Sequence, residues 1–375
     1  MNLVYLDHAA TTPVKEEVLK EMLPYFSTNY GNASSIYSIG RRSNKAIEIA
    51  REKVAKAIGC DEKEIYFTSC GSESDNLAIK GIARANIKKG KHIITSKIEH
   101  PAVLNTCKSL EKEGYKITYL NVDKKGFVDL EQLKNSINEE TILVTIMFAN
   151  NEIGTIQNVK EISEIAHSKN VIFHTDAVQA VGNIKIDVNE LGIDLLSMSA
   201  HKFYGPKGVG ALYVKDGVEF MKIQDGGSQE NNKRAGTQNV PGIVGLGKAI
   251  EIATLNLENY NSKLLKLRNY FISEITKKYE EVIINGDLKN RLPGNINISF
   301  PDIDGKELLM KLDSKNICVS TGSACSSGHI KTSHVLTAIG ATRRYAGGAL
   351  RITLGEQNTV KDIEYLIETL GRIIK

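Results

Sequence analysis

Five cysteines in 375 residues, at positions 60, 70, 107, 318 and 325, are too few and too scattered for a disulfide framework, so a reducing cytoplasm is the expected compartment. No apolar run approaches the roughly 18–20 residues that a bilayer-spanning helix needs. The longest, 142–149, falls far short. The opening M-N-L-V-Y-L-D-H-A-A lacks a basic stretch leading into an apolar one, which argues against a signal peptide. Charge of one sign is scarce as well: 48 Lys plus Arg against 44 Asp plus Glu leaves +4, dispersed along the chain. That excludes a direct nucleic-acid stripe and a basic membrane patch. Low-complexity segments and internal repeats are absent. So are a G-x-G-x-x-G after a strand and a Walker lysine, which removes support for a dinucleotide or NTP site.

What remains is an ordinary globular composition, 41% hydrophobic and 25% charged, in a chain long enough for one large domain or two to three average ones. Short β-branched runs at 64–70, 92–97, 117–122, 142–149, 171–177, 194–200 and 209–215 read as strands. Between them, segments such as 44–58, 73–86 and 160–169 carry apolar residues at helical spacing. Strands alternating with helices require crossover connections, so an α/β fold is expected, with a mostly parallel seven-stranded sheet covered by helices. After Gly242 the pattern changes. Residues 248–278, free of Gly and Pro, read as one long helix running from the large domain into a second. Strand-like 296–300, 317–320 and 349–354, helix-like 305–312 and a final helix from about Val360 suggest a smaller α+β domain. The division expected is 13–255 for the large domain, with 1–12 and 256–375 forming the small one.

Ligands of open parallel sheets bind beyond the carboxyl ends of the strands. Gly71 and Ser72 fall between a strand and a helix, and Ser72 with Asp75 makes an S-x-x-D helix start. Such a turn is either a plain N-cap or a phosphate site. At the next informative ends stand Asp176, with Gln179 just beyond, and Ser199, Ala200, His201 and Lys202. Aspartate and lysine at neighbouring strand ends form either a structural ion pair or a pyridoxal phosphate site. In the second case the lysine carries the cofactor and the aspartate keeps its ring nitrogen protonated. That constellation also gives the turn at Gly71–Ser72 a purpose.

The stretches Y-L-D-H-A-A-T-T, G-N-A-S-S-I-Y, E-H-P-A-V, N-N-E-I-G-T-I-Q, H-T-D-A-V-Q-A-V-G, S-A-H-K-F-Y-G-P-K-G and S-T-G-S-A-C-S-S-G span essentially the whole chain. In this order they resemble the cysteine desulfurases, within the class V aminotransferase family of fold-type I pyridoxal-phosphate enzymes. The resemblance implies pyridoxal 5′-phosphate as cofactor, with Lys202 its Schiff-base lysine, Asp176 the partner of its ring nitrogen and Gln179 a contact to its ring hydroxyl. His100 would stack on the ring and shuttle protons, and Asn151 would lie beside the hydroxyl and the bound amino acid. Gly71, Ser72, Ser199, Ala200 and His201 would form the phosphate cup, joined by Thr237 from the other subunit of a homodimer. Arg351 would grip the substrate carboxylate, and Cys325 would receive sulfur as a persulfide.

The implied reaction converts L-cysteine to L-alanine, with sulfur handed on to an acceptor protein for iron–sulfur cluster assembly or tRNA thiolation. The S-T-G-S-A-C context matches the group with a long mobile loop. No resident metal is expected, although Cys325 could transiently share an iron–sulfur cluster with a scaffold. Selenocysteine lysis or another class V reaction is the same-fold alternative; a non-catalytic sulfur carrier or assembly scaffold is the alternative from another class. Departures from the family pattern fall at Cys70, at Asn231 and in T-S-H-V-L at 332–336.

Overall fold

The structure, a computed structural model, describes residues 3–321 and 333–374. All seven expected strands of the large sheet form. After the short β1 (Val4–Tyr5) come β2 (Ile65–Thr68), β3 (His92–Ser96), β4 (Lys116–Leu120), β5 (Thr141–Thr145), β6 (Ile172–Asp176), β7 (Leu195–Ser199) and β8 (Gly210–Val214). Their order is β2–β8–β7–β6–β5–β3–β4. Every pairing is parallel except the two made by β8. Reversal of β8 alone leaves the other six strands running the same way, so their carboxyl ends share one edge.

Alternation along the strands explains why this sheet is covered on both faces. Ile94, Val144 and Leu196 enter one core, with the helices Ser38–Ile58 and Val240–Leu255. Their neighbours Ile93, Leu143 and Leu195 enter another, with the helices Gly71–Ala85 and Pro101–Lys112. Each strand thus buries both of its faces, which is why the sequence shows continuous apolar runs instead of alternating ones.

A further core gathers Val4, Leu6, Leu264, Leu267, Phe271, Ile275, Ile298, Leu350, Ile352 and Leu366. It is built on β9 (Ile283–Ile284), β10 (Asn295–Ser299) and β12 (Ala349–Thr353), an antiparallel sheet in the order β12–β10–β9. The N-terminal β1 pairs with β11 (Ile317–Cys318), so the first residues of the chain belong with the last hundred in space. Ile98, Met147 and Ile153 pack against Val335, Leu336 and Ile339 where the two regions meet.

The expected long helix over 248–278 is corrected. Two helices, Val240–Leu255 and Leu257–Lys278, meet at a 71° bend. Asn256 is the break: it closes the first helix and opens the second with φ −106° and ψ 9°. The first helix packs Ile243, Leu246 and Ile250 on the large sheet, and the second packs Leu264, Phe271 and Ile275 into the smaller core. One straight rod cannot serve both surfaces. Among the described residues no single helix is long and apolar enough to cross a membrane.

Candidate active site

The shared carboxyl edge of the sheet collects the polar residues singled out above. Asp176 ends β6, is 5% exposed, and accepts a 2.9 Å bond from Val178 N at Oδ1. Burial raises its pKa, while nearby His100, the bond from Val178 N and the Lys202 charge pull it back. Those effects place the three side chains within electrostatic reach of one another. Lys202, in the single helical turn after β7, donates from Nζ to Ala9 O at 2.5 Å and Ala10 O at 2.9 Å. Gln179 donates to the same Ala9 O at 3.0 Å.

His100 caps the helix Pro101–Lys112, its Nδ1 accepting from Ala102 N at 3.1 Å. A ring nitrogen that accepts carries no proton, so the neutral imidazole holds its proton on Nε2. Burial lowers the pKa of His100; the Asp176 charge works against this, and Lys202 and His334 add smaller downward effects. The helix-start reading of this residue and its proton-shuttling reading are therefore compatible, since capping occupies Nδ1 and leaves Nε2 out of the cap.

At the turn expected to hold the phosphate the structure corrects one local expectation. The helix starts at Gly71 with Cys70 as N-cap, and no side chain caps it. Ser72 sits exposed in the first turn, whereas Asp75 turns inward, 1% exposed, and does no capping. Close packing fixes this start: a Cβ on Gly71 would meet Val178 Cγ2 at 2.6 Å and Ser199 Cβ at 3.6 Å. An uncapped start of a 15-residue helix beside Ser199 suits an anion, because its first N–H groups point outward. His201 completes this corner with Nδ1 3.1 Å from Thr11 Oγ1; burial and the flanking lysines push its pKa down to about 4. Ser199 and Ala200 are buried.

Arg351 lies on β12, across from Asn297 and 6% exposed. Its Nη2 donates to Asp7 Oδ1 at 2.8 Å and its Nη1 to Asn151 O at 3.3 Å, while Nε is buried with no partner. Neighbouring Asn150 holds the turn together, its Oδ1 accepting from Glu152 N and Ile153 N and its Nδ2 donating to Ile98 O. Thr237 stands exposed in a segment secured by Arg234–Glu73 and Arg51–Glu230 ion pairs. Asn231 adopts φ 54°, a left-handed conformation that asparagine tolerates, which gives a backbone reason for this departure. Cys325 lies outside the described residues.

Sequence reasoning missed several members of the site. Asp7 pairs with Arg351, and Ala9 and Ala10 hold Lys202. Glu99 is fully buried, accepts from Ser96 Oγ and Met147 N, and is pushed up to about 8 by burial. Asp75 Oδ1 has no hydrogen-bond partner and lies 3.9 Å from His174 Nε2, and burial together with the nearby Asp176 charge raises its pKa strongly. The motifs Y-L-D-H and E-H-P contained Asp7 and Glu99, so their positions were visible but their partners were not.

The chain belongs to the aminotransferase class-V family, whose pattern matches residues 4–366. More particularly, it is 57% identical over 374 residues to "Cysteine desulfurase IscS" of Clostridium botulinum (strain Hall), covering 99% of this chain and 94% of that protein. The protein of the same name from Methanosarcina thermophila is 55% identical over 99% of this chain and 92% of its own length. Among solved structures, a "NIFS-LIKE PROTEIN" superposes with a TM-score of 0.94 at 42% identity, covering 100% of this chain and 99% of the other. "SspA in complex with cysteine" superposes at 0.83 with 37% identity, covering 95% and 100% respectively. The fold is thus that of fold-type I enzymes, and the cofactor is pyridoxal 5′-phosphate. The residues present fit it: an uncapped helix start for the phosphate, a buried carboxylate for the ring nitrogen and a lysine at the adjoining strand end.

Proposed function

We propose that the chain is a cysteine desulfurase that removes sulfur from L-cysteine, releases L-alanine and retains the sulfur as a persulfide on Cys325. The carrying observation is the convergence of Lys202, Asp176 and His100 at one sheet edge, together with Arg351, whose buried Nε has no partner. Lys202 would hold the cofactor, Asp176 its ring nitrogen, and Gly71, Ser72, Ser199, Ala200 and His201 its phosphate. When bound, the cofactor supplies a sink for the electron pair left by the substrate Cα–H bond. His100 would move protons through Nε2, Asn151 and Gln179 would contact the cofactor's hydroxyl, and Arg351 would bind the substrate carboxylate through its planar fork.

The thiolate of Cys325 attacks the substrate sulfur, so that an S–S bond forms while the Cβ–S bond breaks. The carbon fragment keeps the electron pair, takes up a proton and leaves as alanine. Chain reach supports this assignment. Ser320 pairs with Arg351 through two backbone bonds, and Ser333 donates to Glu152 Oε2 at 2.5 Å. Both described ends of the segment therefore adjoin the substrate side. Cys325 follows Thr321 by four residues, a reach of at most about 14 Å. Incubation with L-cysteine and a reductant tests the proposal: equal alanine and sulfide support it, and no alanine from the cofactor-loaded protein rejects it.

A homodimer with shared sites, in which Thr237 meets the partner's phosphate, forms part of this reading. Leu19, Leu23, Phe26, Tyr30, Ile36 and Tyr37 support it: all are exposed large side chains within one stretch, with Ile36 at 89%. Mixing a Thr237→Ala chain with a Lys202→Ala chain should restore part of the activity lost in each parent; verified exchange without recovery would reject shared sites. We also place the protein in the cytoplasm, where a reactive thiol stays reduced. Its large and small domains divide at 255/256, with 1–12 joining the small one, and its sulfur goes to an iron–sulfur scaffold or a tRNA-thiolation enzyme. Labelled sulfur followed onto candidate acceptors distinguishes the two routes.

A further inference from the structure

The N-terminal segment 7–12 touches both halves of the site. Ala9 O and Ala10 O hold Lys202, Thr11 meets His201, and Thr12 Oγ1 accepts from Tyr204 N. On the other side Asp7 bridges to Thr353 on β12, where His8 N donates to Thr353 O and Ala9 N to Thr353 Oγ1. Arg351 lies two residues before Thr353 on the same strand and so projects from the same face. Tyr5 staples the segment, its hydroxyl donating to Asp7 O and Thr11 O.

We propose that Asp7 is a positioning residue for the substrate carboxylate, acting through Arg351. The inference rests on the reading of Arg351 given above. A guanidinium offers five N–H donors in one plane, so fixing two of its nitrogens fixes the direction of the rest. Asp7 Oδ1 takes Nη2 and Asn151 O takes Nη1. That leaves the buried, unpartnered Nε, with the remaining Nη hydrogens, as the place for an incoming carboxylate. An orphaned buried donor on a charged group is unfavourable, and pairing it with a carboxylate relieves that penalty on binding. Asp7 is the stronger holder of the two, because its bond is charge-assisted and shorter. Without it the fork is held at one nitrogen only and can rotate about its stem, so the binding edge is no longer prepared in advance. Glu152 also borders this surface: burial raises its pKa to about 7, with Ser333 and nearby Arg351 pulling it back, but its carboxyl is engaged by Ser333 and does not hold the fork.

The test compares two small amines that differ only in the carboxylate. L-Alanine carries it and has no thiol to react; ethylamine lacks it. Binding of each to the cofactor-loaded dimer is read from the visible absorbance change, in the parent, Asp7→Ala, Asp7→Asn, Arg351→Gln and the Asp7→Ala/Arg351→Gln double variant. Asp7→Ala should weaken alanine binding about ten- to a hundredfold, the size of a charge-assisted hydrogen bond, and leave ethylamine unchanged. Asp7→Asn, which keeps an acceptor oxygen, should recover most of that loss. In the Arg351→Gln background, Asp7→Ala should add nothing, because its effect passes through the arginine. Should Asp7→Ala fail to fold, Asp7→Asn still carries the test through its alanine-to-ethylamine ratio, which must fall. Equal weakening of both amines would show that Asp7 merely secures the segment and would overturn the inference. So would unchanged alanine binding in Asp7→Ala alongside a loss in Arg351→Gln. Unchanged alanine binding in Arg351→Gln would instead reject the reading of Arg351 on which the inference stands.

Discussion

The half of the site proposed to hold the cofactor and the half proposed to hold the substrate are built on different kinds of support. Asp176, Ser199 and Lys202 stand at the ends of central parallel strands whose neighbours bury both faces. Arg351 stands on β12 at the edge of a three-stranded antiparallel sheet, held in place by the N-terminal segment and by Asn151. The first half is fixed by a sheet; the second is fixed by contacts reaching across from elsewhere in the chain. A group that holds a cofactor through every turnover needs the first kind of support. A group that admits and releases a substrate works with the second.

The largest effect should come from the first half. Lys202→Ala should abolish covalent cofactor attachment and turnover together. Borohydride reduction and peptide mapping of the parent should place the cofactor on Lys202, and finding it on Lys207 would break the assignment. Next is His100→Asn. Asparagine is itself a good N-cap, so the helix Pro101–Lys112 should survive with little change in melting temperature, while turnover falls roughly 10²–10⁴-fold for want of a proton carrier. An equal loss of stability would make His100 a cap and nothing more. In the parent, burial holds the His100 pKa below the ordinary 6.5, so acid inactivation through this group should begin below that pH.

A smaller effect separates stability from catalysis. Glu99 is raised by burial from its ordinary 4.5 to about 8, so between those values the folded state binds more protons than the unfolded one. Stability must then fall as pH rises through that window and level off above it. Glu99→Gln keeps the shape and removes the titration, and should flatten that part of the profile in melting experiments from acid to alkaline pH. An unchanged slope would show that Glu99 does not hold its proton in this range.

The sheet was legible because central parallel strands are apolar on both faces, and 65–68, 92–96 and 172–176 announce themselves as β-branched runs. The strand expected over 142–149 ends at Thr145, yet Ile146 N and Phe148 N still bond to His174 O and Asp176 O, so the apolar signal followed a real ladder. The two-residue β1 and β9 carry too little pattern to be seen, and the bend at Asn256 is dictated by which core each half faces. Ser72 and Asp75 had capping spacing, but Asp75 is drawn inward beneath the site. Strand-end residues such as Asp176 and Lys202 could be picked out as candidates. The pairing of Asp7 with Arg351 spans 344 positions and has no local signature.

The most direct test of the account is sulfur bookkeeping in a single turnover. The cofactor-loaded protein is mixed with limiting L-cysteine, alanine is quantified, and the peptides are examined by mass spectrometry. The account predicts one added sulfur on the peptide containing Cys325 for each alanine formed, and almost none of either in Cys325→Ser, which should keep its bound cofactor. Alanine formed at the parental rate by Cys325→Ser, or sulfur found instead on Cys70, would contradict it.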